Sequence, residues 1–132
     1  MIWLRKRLNN GVNCTPTKGC PVEVTLSIIG GKWKGIILYE LLGGTKRFQD
    51  LRRALPTATQ KMLTLQLREL EADNLIHREV HHLVPPKVEY SLTPLGASLE
   101  SILTQMKAWG ERFQAEHHLS LFKPEITNRC NK

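Results

Sequence analysis

The sequence has no long hydrophobic run, no internal repeat and no low-complexity segment. Its apolar stretches fall well short of the roughly 20 residues that a membrane-spanning helix needs, so an integral membrane protein is excluded. The first eight residues place a basic cluster behind a very short apolar piece, and they lack the apolar core of a signal peptide. For 132 residues with ordinary shares of apolar and charged side chains, we expect one globular domain in the cytoplasm.

Cysteine and histidine are too few and too scattered for a disulfide framework or a metal site. The three cysteines, Cys14, Cys20 and Cys130, are odd in number and form no CxxC pair. The five histidines have no carboxylate cluster beside them, and no glycine-rich loop of the phosphate-binding type is present. We therefore expect free thiols in a reducing compartment, no metal, no cofactor and no enzymatic activity.

Acidic residues are scarce in one contiguous third of the chain. The sequence has 19 lysines and arginines against 12 aspartates and glutamates, which gives a net charge of +7. Residues 32–68 hold eight of the bases and only two acids, whereas residues 69–132 hold more acids than bases. Two interpretations are open at this point: a solvated basic face, or a surface that binds the phosphates of a nucleic acid.

Apolar residues at helical spacing predict four helices in the first part of the chain. These helices cover residues 21–29, 32–42, 46–55 and 60–73. Pro21 suits the first turn of the first helix, and the hydroxyl of Thr59 can cap the fourth. The short third helix is predicted to carry four bases outside its apolar stripe: Lys46, Arg47, Arg52 and Arg53.

After Asn74 the apolar period changes from helical to alternating. Residues 75–80 and 88–92 alternate and predict two strands. The segment between them, residues 81–87, is too long and too rich in proline for a two-residue turn, so we expect a two-stranded hairpin with a protruding loop. Such a hairpin is marginal alone and is expected to pack on the helices.

Thr93 and Pro94 predict the start of a long final helix, as a cap followed by proline in the first turn. One face of this helix is apolar for about five turns: Leu95, Leu99, Ile102, Leu103, Met106, Trp109 and Phe113. Packing within the chain and pairing across a two-fold axis both account for this face, and its size favours a homodimer. The predicted dimer interface is Leu95, Leu99, Ile102, Met106, Trp109 and Phe113.

This order of elements predicts a winged helix-turn-helix fold, mainly α with a small β-hairpin and a long C-terminal dimerisation helix. The short helix and tight turn hold the fourth helix so that its polar face protrudes and can enter a major groove about 12 Å wide. We divide the chain into a mobile basic arm (1–19), a DNA-binding and dimerisation domain (20–118) and a C-terminal tail (119–132).

The fourth helix is polar and basic on the face opposite its leucines. Lysine and arginine reach phosphates or base edges, threonine and glutamine bind either, and the hairpin loop can flank the helix. The predicted DNA-binding residues are Arg47, Arg52, Arg53, Thr59, Gln60, Lys61, Thr64, Leu65, Arg68, His82 and Lys87. The alternative is a protein-binding module, which predicts an uncharged or acidic face. RNA binding is less suited, because the face has no stacking aromatic residues.

Six short motifs follow one another along the chain: Cys20-Pro-Val-Glu23, Ile29-Gly-Gly-Lys-Trp33, Arg47-Phe-Gln-Asp-Leu51, Leu67-Arg-Glu-Leu-Glu71, Val84-Pro-Pro-Lys-Val-Glu-Tyr90 and Leu92-Thr-Pro-Leu-Gly96. Together they resemble the HxlR-type transcriptional regulators, a MarR-like winged-helix group, over about residues 20–113. The resemblance implies a cytosolic bacterial homodimer that binds double-stranded operator DNA as a repressor or an activator. It also implies that the first and last helices of the domain build the dimer interface.

Cys20 stands where some members of that family carry a cysteine that senses oxidants or electrophiles, just before the proline of the first helix. A helix N-terminus with Lys18 close by favours the thiolate, which is the reactive form. The alternative is a small buried residue without a sensing role. Gln49 stands where some relatives have a partner cysteine, so sensing needs another thiol or adduct formation. Cys14 and Cys130 are expected to be incidental.

These observations predict a sequence-specific, double-stranded DNA-binding transcriptional regulator that acts as a homodimer. A small-molecule or oxidant effector is compatible with this prediction, and the sequence does not name one.

Overall fold

A computed structural model describes residues 19–117. In chain order the helices and strands are α1 (Pro21–Ile29), α2 (Lys34–Leu41), β1 (Lys46–Arg47), α3 (Phe48–Ala54), α4 (Gln60–Ala72), β2 (Ile76–His81), β3 (Lys87–Leu92), α5 (Pro94–Ala97) and α6 (Glu100–His117). The mainly helical architecture, with its helix-turn-helix, hairpin and long last helix, is confirmed. The predicted arm (1–19, except Gly19) and tail (119–132) lie outside the described residues, as do Cys14, Lys18 and Cys130.

The sheet has three antiparallel strands in the order β1-β3-β2, where the sequence predicted two. Lys46 and Arg47 were expected on the third helix; instead they form β1 and pair with Tyr90 and Glu89 of β3. The backbone N of Arg47 also donates a hydrogen bond to Oδ2 of Asp50 at 3.0 Å, so the strand leads directly into α3. A two-residue strand is too short to show an alternating pattern, and its partner lies more than 40 residues away in the sequence.

The hydrophobic core lies between α2, α3, α4 and the inner face of the sheet. Its fully buried side chains are Ile37 and Leu38 of α2, Leu51 of α3, and Leu63, Leu67 and Leu70 of α4. Ile76 of β2 and Tyr90 of β3 add the contribution of the sheet, and Leu75, which precedes β2, is buried beside them. The three leucines of α4 follow the predicted helical spacing, which confirms which face of that helix points inward.

The last helix is interrupted, although the sequence predicted one continuous helix from Pro94. Thr93 caps α5 as expected, since Oγ1 of Thr93 accepts a hydrogen bond from the backbone N of Gly96 at 3.0 Å. Ser98 and Leu99 then form a turn before α6 begins. The same hydroxyl donates to the carbonyl oxygen of Asn74 at 2.7 Å, so the α5 turn is tied to the chain that precedes β2.

The predicted apolar stripe of the last helix divides into a buried and an exposed part. Leu103 is buried in the core, and Leu99 packs against the core while half-buried. Four members of the stripe remain exposed: Leu95, Ile102, Met106 and Trp109. The ring of half-buried Phe113 stacks on Trp109 with a centroid distance of 5.1 Å.

Candidate nucleic-acid interface

Helix α4 presents a basic and partly apolar face to solvent. Lys61, Leu65 and Arg68 are exposed and Thr64 is half-buried, all on the side opposite the buried leucines. The helix begins where predicted, because the backbone N of Met62 donates a hydrogen bond to Oγ1 of Thr59 at 3.1 Å. The cap and the leucines together fix the start and the rotation of α4, and so determine which side chains face outward.

Helix α3 and the turn after it place one arginine near the start of α4. Leu51 and Leu55 are buried and anchor α3, and Ala58 N donates to the carbonyl oxygen of Leu55 at 3.1 Å within the turn. Nη1 of Arg52 lies 3.4 Å from Oε1 of Gln60, which joins the exposed side of α3 to the first residue of α4. Arg52 and Arg53 are exposed. The structure therefore brings Arg52 of α3 beside the start of α4. Nη2 of Arg53 instead lies 3.7 Å from Oδ1 of Asp50, and this side chain lines a separate hollow with Lys46.

Lys34, a base of the middle third, is buried and lies on no exposed surface. Lys34 is only 3% exposed, and its Nζ lies 2.7 Å from Oε2 of Glu69 on α4. From its place in the sequence, Lys34 belongs to the basic third of the chain. The predicted second helix begins at Lys32, whereas α2 begins at Lys34 itself. Because this ion pair joins α2 to α4, Lys34 supports the position of α4 and adds no charge to the exposed face.

The wing, residues 76–92, carries a compact cluster of charges on its outer face. The strands extend to His81 and Lys87, two residues that the sequence placed in the loop. Oε1 of Glu89 lies 2.8 Å from Nζ of Lys87 and 3.0 Å from Nε2 of His81. The hydrogen bond from Lys87, together with the positive charges of Lys87, His81 and Arg47, lowers the pKa of Glu89 below its usual 4.5.

Glu89 is a site residue that the sequence did not single out. Lys87 and Glu89 are two residues apart on one strand and therefore share a face, and His81 is the direct cross-strand partner of Lys87. The register of β2 and β3 places these three side chains together. The sequence alone does not give that register, because it depends on how the two strands pair. Exposed His82 and the exposed tip residues Leu83 and Val84 complete the wing.

A second surface is apolar and lies on α1 and the last two helices. Val22, Leu26 and Ile29 recur at helical spacing along α1, yet only Ile29 is buried, and Val22 and Leu26 are 66% and 59% exposed. The uncovered apolar residues of this surface are Val22, Leu26, Leu95, Ile102, Met106 and Trp109. Thr25 and Ile28 of α1 line one apolar hollow with Leu95 and Leu99, so α1 lies beside α5 and the turn that leads into α6.

Cys20 is an exposed free thiol at the N-cap of α1. Its carbonyl oxygen accepts a hydrogen bond from the backbone N of Val24 at 3.0 Å, which opens the helix. The thiol is therefore not buried within the protomer. Gln49 is exposed on α3.

Within residues 19–117 no group of three or more histidine, cysteine or acidic side chains could hold a metal ion, and no helix there is long and apolar enough to cross a membrane.

Comparisons with known proteins agree with this geometry. A curated helix-turn-helix transcriptional regulator of Bacillus subtilis, YybR, is 65% identical over 100 residues, which cover 75% of this chain and 80% of YybR. The solved structure of the redox regulator HypR in its oxidised form superposes with a TM-score of 0.68 at 66% identity, covering 70% of this chain and 96% of HypR. The reduced form of HypR gives a TM-score of 0.69 at 64% identity, with 70% and 92% covered.

The helix-turn-helix, the wing and these relatives define the class: the chain is a transcriptional regulator of the winged helix-turn-helix type. A family model described as HxlR-like helix-turn-helix matches residues 28–118, well over half of the sequence. The chain belongs to this HxlR-like family, as its six short motifs predicted.

Proposed function

We propose that this regulator is a homodimer that binds double-stranded operator DNA in a sequence-specific manner and acts in the cytoplasm. The observation that carries the proposal is the exposed face of α4, where Lys61 and Arg68 lie one turn on either side of Leu65 and no carboxylate intervenes. A protein-binding module would be expected to present an uncharged or acidic face there, so the basic charge favours DNA.

Each polar or charged member of the predicted DNA-binding residues has a role in this proposal. Helix α4 enters the major groove, where Lys61 and Arg68 contact phosphates or guanine edges and Gln60 and Thr64 provide shorter polar contacts. Arg52 and Arg53 of α3 contact the DNA backbone beside the groove, as does Arg47 at the edge of the sheet. Thr59 fixes the start of α4 and brings backbone N–H groups toward a phosphate. His82 and Lys87 belong to the wing, which reaches the backbone or the minor groove.

The uncovered apolar residues of α1, α5 and α6 support the dimer. Six large apolar side chains exposed on one protomer are a surface that a second copy can cover, and α1 lies beside α5, so both helices can take part. A two-fold axis there would present two copies of α4 to successive major grooves on the same side of the duplex. The operator is then expected to be pseudo-palindromic.

The experiment compares Lys61→Ala and Arg68→Ala with Lys32→Ala, which removes the same charge from an exposed residue outside α4. Binding to the gene's own upstream DNA is measured across a salt titration. Loss of a base contact is expected to cost about 1–3 kcal/mol of discrimination, and loss of a phosphate contact is expected to reduce the salt slope. Wild-type affinity and salt dependence in both α4 variants would overturn the assignment of α4 to the groove.

Cys20 supports a second element of the proposal, a response to oxidants or electrophiles. Its thiol is exposed and sits at the N-terminus of α1, next to apolar residues of the proposed dimer face. Addition of the thiolate to a quinone forms one S–C bond and, after proton uptake by the ring oxygen, leaves a hydroquinone on the protein. A covalent group at this position would disturb the contact between protomers.

This element is tested with the full-length protein and Cys20→Ser, and with Cys14→Ser and Cys130→Ser as matched controls. DNA binding and intact mass are measured before and after benzoquinone treatment. We expect wild type and both controls to gain a quinone adduct and lose operator affinity, and Cys20→Ser to keep its affinity. If Cys20→Ser still loses operator affinity after benzoquinone treatment, Cys20 is not the residue that mediates the response.

A further inference from the structure

Leu65 is a large apolar side chain in the middle of the basic face of α4, and it is 48% exposed. Lys61 precedes it by one turn and Arg68 follows it by one turn, so two cations flank it on the same side of the helix. The uncovered apolar residues assigned to the dimer belong to α1, α5 and α6, and none of them lies on α4. The proposed dimer therefore gives no account of Leu65.

Two polar groups beside Leu65, the hydroxyl hydrogen of Thr64 and the side-chain oxygen of Gln60, already have partners within the protein. Oγ1 of Thr64 donates its hydrogen to the carbonyl oxygen of Gln60 at 2.8 Å. Oε1 of Gln60 faces Nη1 of Arg52 at 3.4 Å. These five side chains, those of Gln60, Lys61, Thr64, Leu65 and Arg68, line a shallow hollow on the outer side of α4. Its centre offers an apolar contact, and its ends offer positive charge.

We infer that Leu65 recognises the C5 methyl group of a thymine on the floor of the major groove. This inference rests on the proposed function, because it needs α4 to lie in the groove. The flanking cations complement the phosphates on either side of a major groove, and the apolar group that the groove itself displays is the thymine methyl. Leu65 is then a specificity-determining residue, and each half-site contains a thymine opposite the middle of α4.

The size of the effect follows from the burial of one methyl group. Removing a methyl group from water favours binding by about fourfold. Two protomers on a pseudo-palindromic site would each make the contact, so loss of both methyl groups is expected to weaken binding by about fifteenfold. Leu65→Ala should lose the same preference, and alanine in an exposed helical position keeps α4 folded.

The test exchanges thymine for deoxyuridine, which removes the methyl group and keeps every hydrogen-bonding group of the base. A duplex is first selected from a random library with the wild-type protein, and each of its thymines is then replaced in symmetric pairs. Affinities are measured for wild type, Leu65→Ala and the control Met62→Ala, which removes another partly exposed side chain of α4.

We expect one symmetric pair at which deoxyuridine weakens binding by wild type and Met62→Ala but leaves Leu65→Ala unchanged. If no pair is sensitive, or if Leu65→Ala is as sensitive as wild type, the inference is overturned while sequence-specific binding stands. If the selection enriches no sequence, the proposed function fails and the inference fails with it.

Discussion

Adding a single methyl group at Gly96 is expected to destabilise the fold strongly. Gly96 is buried in α5, and a Cβ placed there would overlap the backbone carbonyl oxygen of Leu75. It would also lie 3.1 Å from the carbonyl carbon of Leu75 and 3.2 Å from Cδ2 of Leu92. Backbone atoms cannot rotate away as a side chain can, so the α5 turn and the start of β2 have to separate by about 1 Å.

The cost of that separation can be worked from the contacts that it breaks. Overpacking of a close-packed site costs about 1–3 kcal/mol. Thr93 also donates from its backbone N to the Leu75 carbonyl oxygen at 3.1 Å and from Oγ1 to the Asn74 carbonyl oxygen at 2.7 Å, and each lost bond costs about 1 kcal/mol. Alanine regains about 1 kcal/mol of helix propensity. Gly96→Ala should therefore lower the free energy of unfolding by about 2–4 kcal/mol.

Gly35→Ala is the matched control. Gly35 is also helical, but a Cβ there would lie 3.8 Å from the carbonyl oxygen of Ile29, which is an ordinary contact. The same substitution is then expected to be neutral or to stabilise the protein by up to about 1 kcal/mol. Urea unfolding of wild type and both variants at one protein concentration gives the three free energies. Equal effects at the two glycines would refute the packing argument.

The remaining predictions concern α4, the wing and the proposed dimer face. Thr59→Ala should lower the free energy of unfolding by about 1 kcal/mol, because it removes the cap of α4, and Thr59→Ser should retain most of it in the same urea experiment. The lowered pKa of Glu89 means that its carboxylate contributes stability above pH 4.5, and that this stability is lost as the pH falls through the folded-state pKa. Glu89→Gln should therefore show a smaller fall in melting temperature on acidification below pH 4.5. Trp109→Ala should shift the sedimentation of dilute protein toward the monomer, whereas Gln105→Ala on the same helix should not.

Three results would contradict these predictions. If Thr59→Ser is as unstable as Thr59→Ala, the hydroxyl group does not contribute to the cap of α4. An acid profile of Glu89→Gln that matches wild type would show that the charge cluster of the wing contributes nothing to folding. If Trp109→Ala sediments like wild type at low concentration, Trp109 of α6 is not part of the dimer interface.

Features that depend on neighbouring residues could be predicted from the sequence. The caps at Thr59 and Thr93 each depend on a residue and the one three positions later. The spacing of the leucines in α4 indicates which face of that helix is buried. The exposed face of α4 follows from the same spacing, so its bases were placed correctly. Local chemistry thus determines the central part of the candidate site.

Features that depend on distant parts of the chain could not be predicted in this way. β1 exists because Lys46 and Arg47 meet Tyr90 and Glu89, and nothing around residue 46 indicates that pairing. Lys34 is buried because Glu69, 35 residues later, faces it at 2.7 Å, whereas a lysine at a helix start is ordinarily solvated.

The break in the last helix has the same kind of cause. Gly96 packs against the backbone of Leu75, so α5 turns where the stripe alone predicted a continuous helix. Along the apolar stripe of the last helix, Leu103 is buried and Trp109 is exposed. This difference depends on which residues of the stripe the rest of the chain covers.

Sequence-specific binding by the wild-type protein is the central claim, and one competition assay tests it directly. The reduced, full-length protein is bound to the gene's own upstream duplex at a series of salt concentrations, and an unrelated duplex of equal length competes. We predict a preference of about a thousandfold for the upstream duplex, retained at physiological salt. Equally weak and equally salt-dependent binding to both duplexes would contradict the account, because it would show a basic surface without recognition of sequence.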